Sequence, residues 1–143
     1  ELDISAFEAL HFQRKTNFAG WAVLIVYENS ALPENLINVY DGLQGVPNAL
    51  EISLTNFRVL DNSDSKAGFI AWEGDINLPT EQFLINNQVL SNAANPPNNV
   101  FNGTNSITNS NTLYNMDIDI YDIEDYIGVG NTNIQLTFKR TYL

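Results

Sequence analysis

The chain has 143 residues, no cysteine, and 17 acidic against 6 basic side chains, for a net charge of −11. That charge repels nucleic acid and anionic membrane surfaces, which are bound by excess Lys and Arg, and the missing thiols exclude disulfides, thiolate metal sites and cysteine nucleophiles. The length suits one domain, residues 1–143, able to bury a core unaided. No apolar run of about 18 residues and no charged-then-apolar leader occurs, so neither membrane insertion nor a signal segment is expected.

Taken in order, the predicted elements are almost all strands, because apolar residues alternate or cluster in short β-branched and aromatic blocks. Residues 2–12 form the first. Residues 20–27 (GWAVLIVY) are an unbroken apolar run between Gly20 and Glu28-Asn29-Ser30, the pattern of a central strand covered on both faces. A short strand at 36–40 follows. Residues 49–57 (ALEISLTNF) alternate, with Leu50, Ile52 and Leu54 inward and Glu51, Ser53 and Thr55 outward. Further strands fall at 67–73, at 83–90 with Asn86-Asn87 as a hairpin turn, at 113–121, and at 133–140, where Ile134, Leu136 and Phe138 oppose Gln135, Thr137 and Lys139. Turn chemistry at 32–35, Asp41-Gly42, 45–48 and 61–64 separates them. The expectation is an all-β fold, an antiparallel β-sandwich or jelly roll of about eight strands, with Trp21, Phe57, Phe69 and Phe138 in its core.

Residues 92–111 (NAANPPNNVFNGTNSITNSN) break the rhythm and read as one long Asn-rich surface loop, pinned by Phe101. Asn102-Gly103-Thr104 matches the glycosylation sequon, a short pattern that also arises by chance. Asn occurs 21 times in the chain, more than three times as often as Lys and Arg together. Neutral turn formers, aromatic strands and few lysines point to an exported protein, so an extracellular location is expected.

Candidate chemistry is sparse. The single histidine, His11, lies in a strand-like stretch with no serine elbow and no cysteine to activate. Phosphate-binding glycine loops are missing, and Gly128-Val129-Gly130 reads as a turn. In Trp72-Glu73-Gly74-Asp75 the two carboxylates form a candidate acid pair for glycoside chemistry beside an aromatic able to stack on a sugar; the competing reading is a strand that ends in an acidic turn.

Residues 116–127 (MDIDIYDIEDYI) hold five of the acidic residues. As a strand, 116–121 points Ile118 and Ile120 inward and leaves Asp117 and Asp119 on a wet face, roughly 7 Å apart. Beyond Tyr121 the spacing of Ile123 and Ile127 is that of one helical turn, capped by Asp122. Calcium takes six to eight oxygens from carboxylates, amides and carbonyls, so Asp75, Asp117 and Asp119 are candidate ligands of Ca2+, although the EF-hand order is missing. The alternative is a solvated acidic face.

Several pieces together, in order, carry a resemblance: Ala19-Gly20-Trp21-Ala22-Val23-Leu24-Ile25-Val26-Tyr27-Glu28, then Leu32-Pro33, Val39-Tyr40-Asp41-Gly42-Leu43, Gly68-Phe69-Ile70-Ala71-Trp72-Glu73-Gly74-Asp75, Leu90-Ser91-Asn92-Ala93-Ala94-Asn95-Pro96, Asn98-Asn99-Val100-Phe101-Asn102 and Met116-Asp117-Ile118-Asp119-Ile120. Over roughly residues 3 to 140 the chain resembles β-sandwich modules of large secreted adhesins and gliding-associated surface proteins of Bacteroidota. The resemblance implies a non-catalytic, exported, structural or adhesive module whose partners are neighbouring surface domains or identical subunits. Related modules carry further β segments upstream, so the chain is a shorter version, a cut piece, or a subunit that borrows a strand. The rivals are a polymerising filament subunit, a carbohydrate-binding module centred on Trp72, and a glycoside-active enzyme using Glu73 and Asp75.

Overall fold

A computed structural model describes residues 20–46, 48–113 and 116–140. The chain divides into two compact units, Glu1–Pro33 and Glu34–Leu143, and every strand described belongs to the second. The strands are β1 (Ala49–Leu54), β2 (Lys66–Trp72), β3 (Glu81–Ile85), β4 (Gln88–Val89), β5 (Met116–Asp122) and β6 (Ile134–Arg140). They build two antiparallel sheets, one of four strands in the order β1-β6-β3-β4 and one of two, β2-β5.

Alternation sets the register of the larger sheet. Leu50, Ile52 and Leu54 of β1 lie opposite Phe138, Leu136 and Ile134 of β6, and because directly paired residues share a face, these six side chains form one apolar surface. On the other side of β6, Phe83 pairs with Phe138 and Ile85 with Leu136. The β3–β4 hairpin closes through Asn86 and Asn87 at φ 49° and 66°, both in the left-handed region that a two-residue type I′ turn requires and that Asn tolerates better than most residues.

The two sheets meet at aromatic rings. Phe69 of β2 lies 5.1 Å from Phe138 and 5.3 Å from Phe83, centroid to centroid, Tyr121 of β5 lies 5.3 Å from Phe83, and Phe83 stacks on Phe138 at 4.8 Å. Phe101, from the Asn-rich segment, adds its ring to Phe69 and Phe138 at 5.8 Å. Each such pair contributes about 0.5–1.5 kcal/mol beyond the area it buries. These contacts place β5 over β3 and β2 over β6. Around the rings, Ile85, Leu90, Val100, Ile123 and Ile134 complete the buried core.

The all-β, antiparallel character expected from the sequence is present, and no helix forms among the described residues. Six strands are seen among the described residues where about eight were expected of the whole chain. Residues 49–57, 67–73, 83–90, 113–121 and 133–140 each contain strand, the 83–90 stretch as the predicted hairpin. Residues 36–40 form no strand, and Leu36, Ile37, Val39 and Tyr40 are exposed. Residues 2–12 lie outside the described residues. Residues 20–27, the expected central strand, enter no ladder with another of the described residues, and Trp21 is 83% exposed rather than in the core. A strand is a relationship between two chains of backbone, so an apolar run does not by itself make one. Phe138 is buried as expected, while Phe57 and Phe69 are half-buried against the core.

Candidate functional site

The phase of β5 is the reverse of the sequence expectation. Asp117, Asp119 and Tyr121 face inward and are essentially inaccessible, whereas Ile118 is only half-buried and Ile120 is exposed. The acidic pair is therefore not on a wet face. What overrides hydrophobicity is hydrogen bonding from the Asn-rich segment, since a buried carboxylate is tolerated where backbone N–H groups solvate it. The Asp117 Oδ1 accepts from Gly103 N at 2.7 Å and Thr104 N at 3.1 Å, and the Asp119 Oδ1 accepts from Ser106 N at 3.2 Å.

The same segment also pairs with β5 through its backbone. Ile118 N donates to Thr104 O at 3.0 Å, Ser106 N donates to Ile118 O at 3.2 Å, and Ile120 N donates to Ser106 Oγ at 2.7 Å. The outer edge of β5 is thereby closed by the segment its carboxylates anchor. Residues 92–111 are accordingly not a solvated excursion. Asn95, Asn99, Val100, Asn102 and Thr104 are all buried, and their side chains cross-brace the segment. Thr104 Oγ1 donates to Asn95 Oδ1 at 2.8 Å, Asn102 Nδ2 to Ala94 O at 3.0 Å, and Asn99 Nδ2 to Ile76 O at 2.9 Å. Phe101 pins the segment to the core as the sequence implied. The sequon asparagine, Asn102, is inside the protein, with its amide nitrogen already donating.

Electrostatics follow from burial. Asp117 is pushed up to about 6, chiefly by loss of water, against the N–H groups of Thr104 and Gly103 that favour its charge, with the neighbouring Asp119 charge adding to the rise. Asp119 is raised for the same leading reason, opposed by Asn95 and Ser106. Their second oxygens, Oδ2, accept no hydrogen bond from the protein. A short distance away Glu81, at the start of β3, is pushed up to about 7 by burial, a rise opposed by the Arg140 guanidinium and assisted by the charges of Asp117 and Asp75. The Arg140 Nε stands 3.8 Å from Glu81 Oε1.

Glu81 and Arg140 line a cleft of about 230 Å³ with Glu73, Asp75 and Leu78. The two carboxylates singled out for acid–base chemistry, Glu73 and Asp75, are thus brought to one cleft, and both are exposed. Sequence reasoning missed Glu81, whose position opening an apolar strand just past Leu78-Pro79-Thr80 was the available signal. Asp75 does not share the burial of Asp117 and Asp119, and among the described residues no group of three or more His, Cys, Asp or Glu side chains is arranged to hold a metal ion. Trp72 ends β2 half-buried and paired with Met116. Asp122 pairs with Lys66 across the β2-β5 ladder, and the stretch after it makes a turn, Tyr126 N to Ile123 O at 2.9 Å, rather than a helix.

Fold and site together define a class: an antiparallel β-structure, without helix among the described residues, in which Asp117 and Asp119 are turned inward to hold a buried, asparagine-rich segment. Comparison with protein-family models, curated proteins and solved structures found no match to the chain. Among the described residues no helix is long and apolar enough to cross a membrane.

Proposed function

We propose that the chain is a non-catalytic structural or adhesive module of a bacterial cell-surface protein, exported and built as an antiparallel β-sandwich. The observation that carries this reading is the engagement of Asp117 and Asp119 by backbone N–H groups of residues 103–106. Carboxylates that hold a long segment rigid serve architecture, and they do so without disulfides or reduced thiols. The ordered resemblance to surface modules and the scarcity of Lys and Arg support the same reading.

Two measurements test it. Proteinase treatment of intact producing cells should remove the protein; protection until lysis would sink the exported location. A broad polysaccharide panel should show no turnover, with wild type and Glu73→Gln indistinguishable. Turnover abolished by Glu73→Gln or Asp75→Asn would replace the module with an enzyme whose cleft is the one lined by Glu73, Asp75 and Glu81.

A second reading, a subunit of a surface assembly, is favoured by one observation. Residues 20–27 are apolar throughout, with Trp21, Val23, Leu24, Ile25, Val26 and Tyr27 all exposed. Exposed runs of this kind are avoided on monomers and mark surfaces that are covered by something else.

A further inference from the structure

At one end of the two sheets a cleft opens, and carboxylates surround it. Glu81, the first residue of β3, pairs directly with Arg140, the last of β6. Paired residues share a face, so this couple continues the inner surface on which Phe83 and Phe138 meet. The other wall comes from the chain as it leaves β2 through Glu73-Gly74-Asp75, where buried Gly74 lies against Asp117 and the Phe101 carbonyl. Among the described residues, Glu73, Asp75, Leu78, Glu81 and Arg140 line the resulting space of about 230 Å³.

Glu81 separates this cleft from a chance gathering of surface acids. Its side chain is only 10% exposed, yet its Oε2 accepts no hydrogen bond from the protein. Its Oε1 stands 3.8 Å from the Arg140 Nε, an ion-pair contact longer than a hydrogen bond. A carboxyl taken out of water without donors is costly, so a group that supplies donors there is favoured. Burial raises Glu81 to about 7, opposed by Arg140 and assisted by Asp117 and Asp75, so the cleft holds more negative charge than its guanidinium balances. Its rims are also strained: Glu73 has φ 66° and Thr80 φ 144°, and Thr80 N and Glu81 N both donate to Asn98 O, at 2.7 and 3.1 Å. Strain of this kind persists only where the surroundings fix it, and it concentrates at ligand clamps.

The distribution of acceptors selects the ligand. Surplus carboxylate disfavours an anion. A small spherical cation needs ligands that converge on one point, and among the described residues no three acidic side chains are arranged to hold one ion. A guanidinium differs, because its five N–H donors spread in a rigid plane and reach acceptors that do not converge. We propose that the cleft seats the guanidinium of an arginine side chain presented by a basic partner protein, which donates to Glu81, Glu73 and Asp75 while its methylenes lie on Leu78. The space takes one side chain rather than a folded surface, and a net charge of −11 draws basic partners over longer range. An arginine site deepens the adhesive reading by naming what is held. A module that binds no arginine is still a surface module, so failure here leaves the proteinase test of export unaffected.

Titrating the full-length protein with blocked tripeptides that differ only in a central arginine, lysine or citrulline tests this, followed by backbone amide shifts in two-dimensional NMR. The arginine peptide should move the Gly74 and Glu81 amides saturably at about millimolar concentration. Lysine should bind several-fold more weakly, and citrulline, which keeps the shape and loses the charge, about tenfold more weakly or not at all. Glu81→Gln should weaken arginine binding about tenfold and, having lost a buried charge, should melt no lower than wild type. Asp75→Asn, at an exposed position, is the second variant and should also weaken it. Affinity should rise from about pH 6 to about pH 8, because the bound cation favours the charged Glu81 carboxyl, and it should rise less in Glu81→Gln. No saturable shift at about 20 mM arginine peptide overturns the proposal, as does equal binding of the arginine peptide and either of the other two. Binding that both variants leave unchanged overturns it by placing the site elsewhere. Calcium chloride that saturates the same shifts at lower concentration overturns it in favour of a metal.

Discussion

Gly74 and Asp117 are packed so closely that a Cβ built on Gly74 collides with the Asp117 Oδ2 and comes within 2.8 Å of the Phe101 carbonyl oxygen. Gly74 is buried, and its φ is not in the left-handed region, so the demand for glycine there is one of space alone. Neither obstacle is the free end of a flexible side chain, because Asp117 is held by the 103–104 amides and Phe101 by its ring contacts. Gly74→Ala should therefore destabilise the protein by about 1–3 kcal/mol, read as a lower urea midpoint. Gly128→Ala, where nothing lies within 4 Å, serves as the control and should change little.

Asp117 separates charge from hydrogen bonding. Asp117→Ala removes the acceptor from Gly103 N and Thr104 N inside the protein and should cost about 1–3 kcal/mol or more. Asp117→Asn keeps an oxygen at Oδ1 while discarding a buried charge, so its cost should be much smaller. Equilibrium denaturation of both variants checks the order; an asparagine variant as damaged as the alanine one would show that charge, rather than the acceptor, holds the segment.

Stability should rise as the medium becomes mildly acidic. Asp117 and Glu81 titrate near 6 and 7 in the folded protein against 3.8 and 4.5 ordinarily, and Asp119 is raised as well. Between about pH 4 and about pH 7 the native state consequently binds more protons than the unfolded chain, and stability falls as pH climbs through that window. Relief of self-repulsion in a chain of net charge −11 acts in the same direction. Melting temperatures measured from about pH 8 down to about pH 5 should increase, and Asp117→Asn should flatten the slope. A falling melting temperature over that range would contradict the account.

The β3–β4 turn offers an asymmetric pair. Asn86 Oδ1 accepts from Gln135 N at 3.1 Å and its Nδ2 donates to Tyr126 O at 3.0 Å, tying β6 and the 123–127 turn to the hairpin. Asn87 is exposed, with a φ of 66°. Asn87→Gly should stabilise by about 0.5 kcal/mol, because glycine adopts that backbone without strain. Asn86→Gly should cost about 1–2 kcal/mol by leaving two backbone groups without partners. Thermal melts of the two variants should move in opposite directions.

How much of this was legible in the sequence depends on what set each strand's phase. β1 and β6 were readable because Leu50, Ile52, Leu54 and Ile134, Phe138 alternate with polar neighbours, although Thr137, on the opposite face of β6, is buried as well. The β3–β4 hairpin was readable from its Asn pair. β5 was placed correctly but turned inside out, since isoleucine was weighed against aspartate without the 103–106 amides that make the aspartates acceptable inside. A hint was present: Tyr121 shares a face with Asp117 and Asp119, and a large aromatic in phase with two acids argues that the face is internal. Residues 20–27 failed for a different reason, because apolar composition reports a preference for burial and says nothing about where the covering surface is.

The Asn102-Gly103 dipeptide acquires a meaning of its own from this arrangement. Deamidation begins when the glycine nitrogen attacks the preceding asparagine carboxamide, and Asn-Gly is the fastest such pair in a flexible chain. Here the Gly103 nitrogen is directed at Asp117 and the Asn102 amide at Ala94, so the nucleophile and the carbon it would attack are each held elsewhere. The carboxylate that braces the segment thus also slows its chemical ageing, which should appear as an intact Asn102 in mass spectra of long-stored wild type and rapid conversion to aspartate and isoaspartate in Asp117→Ala. For a protein without disulfides to outlast exposure, durability of this kind is a matter of covalent half-life as much as of folding.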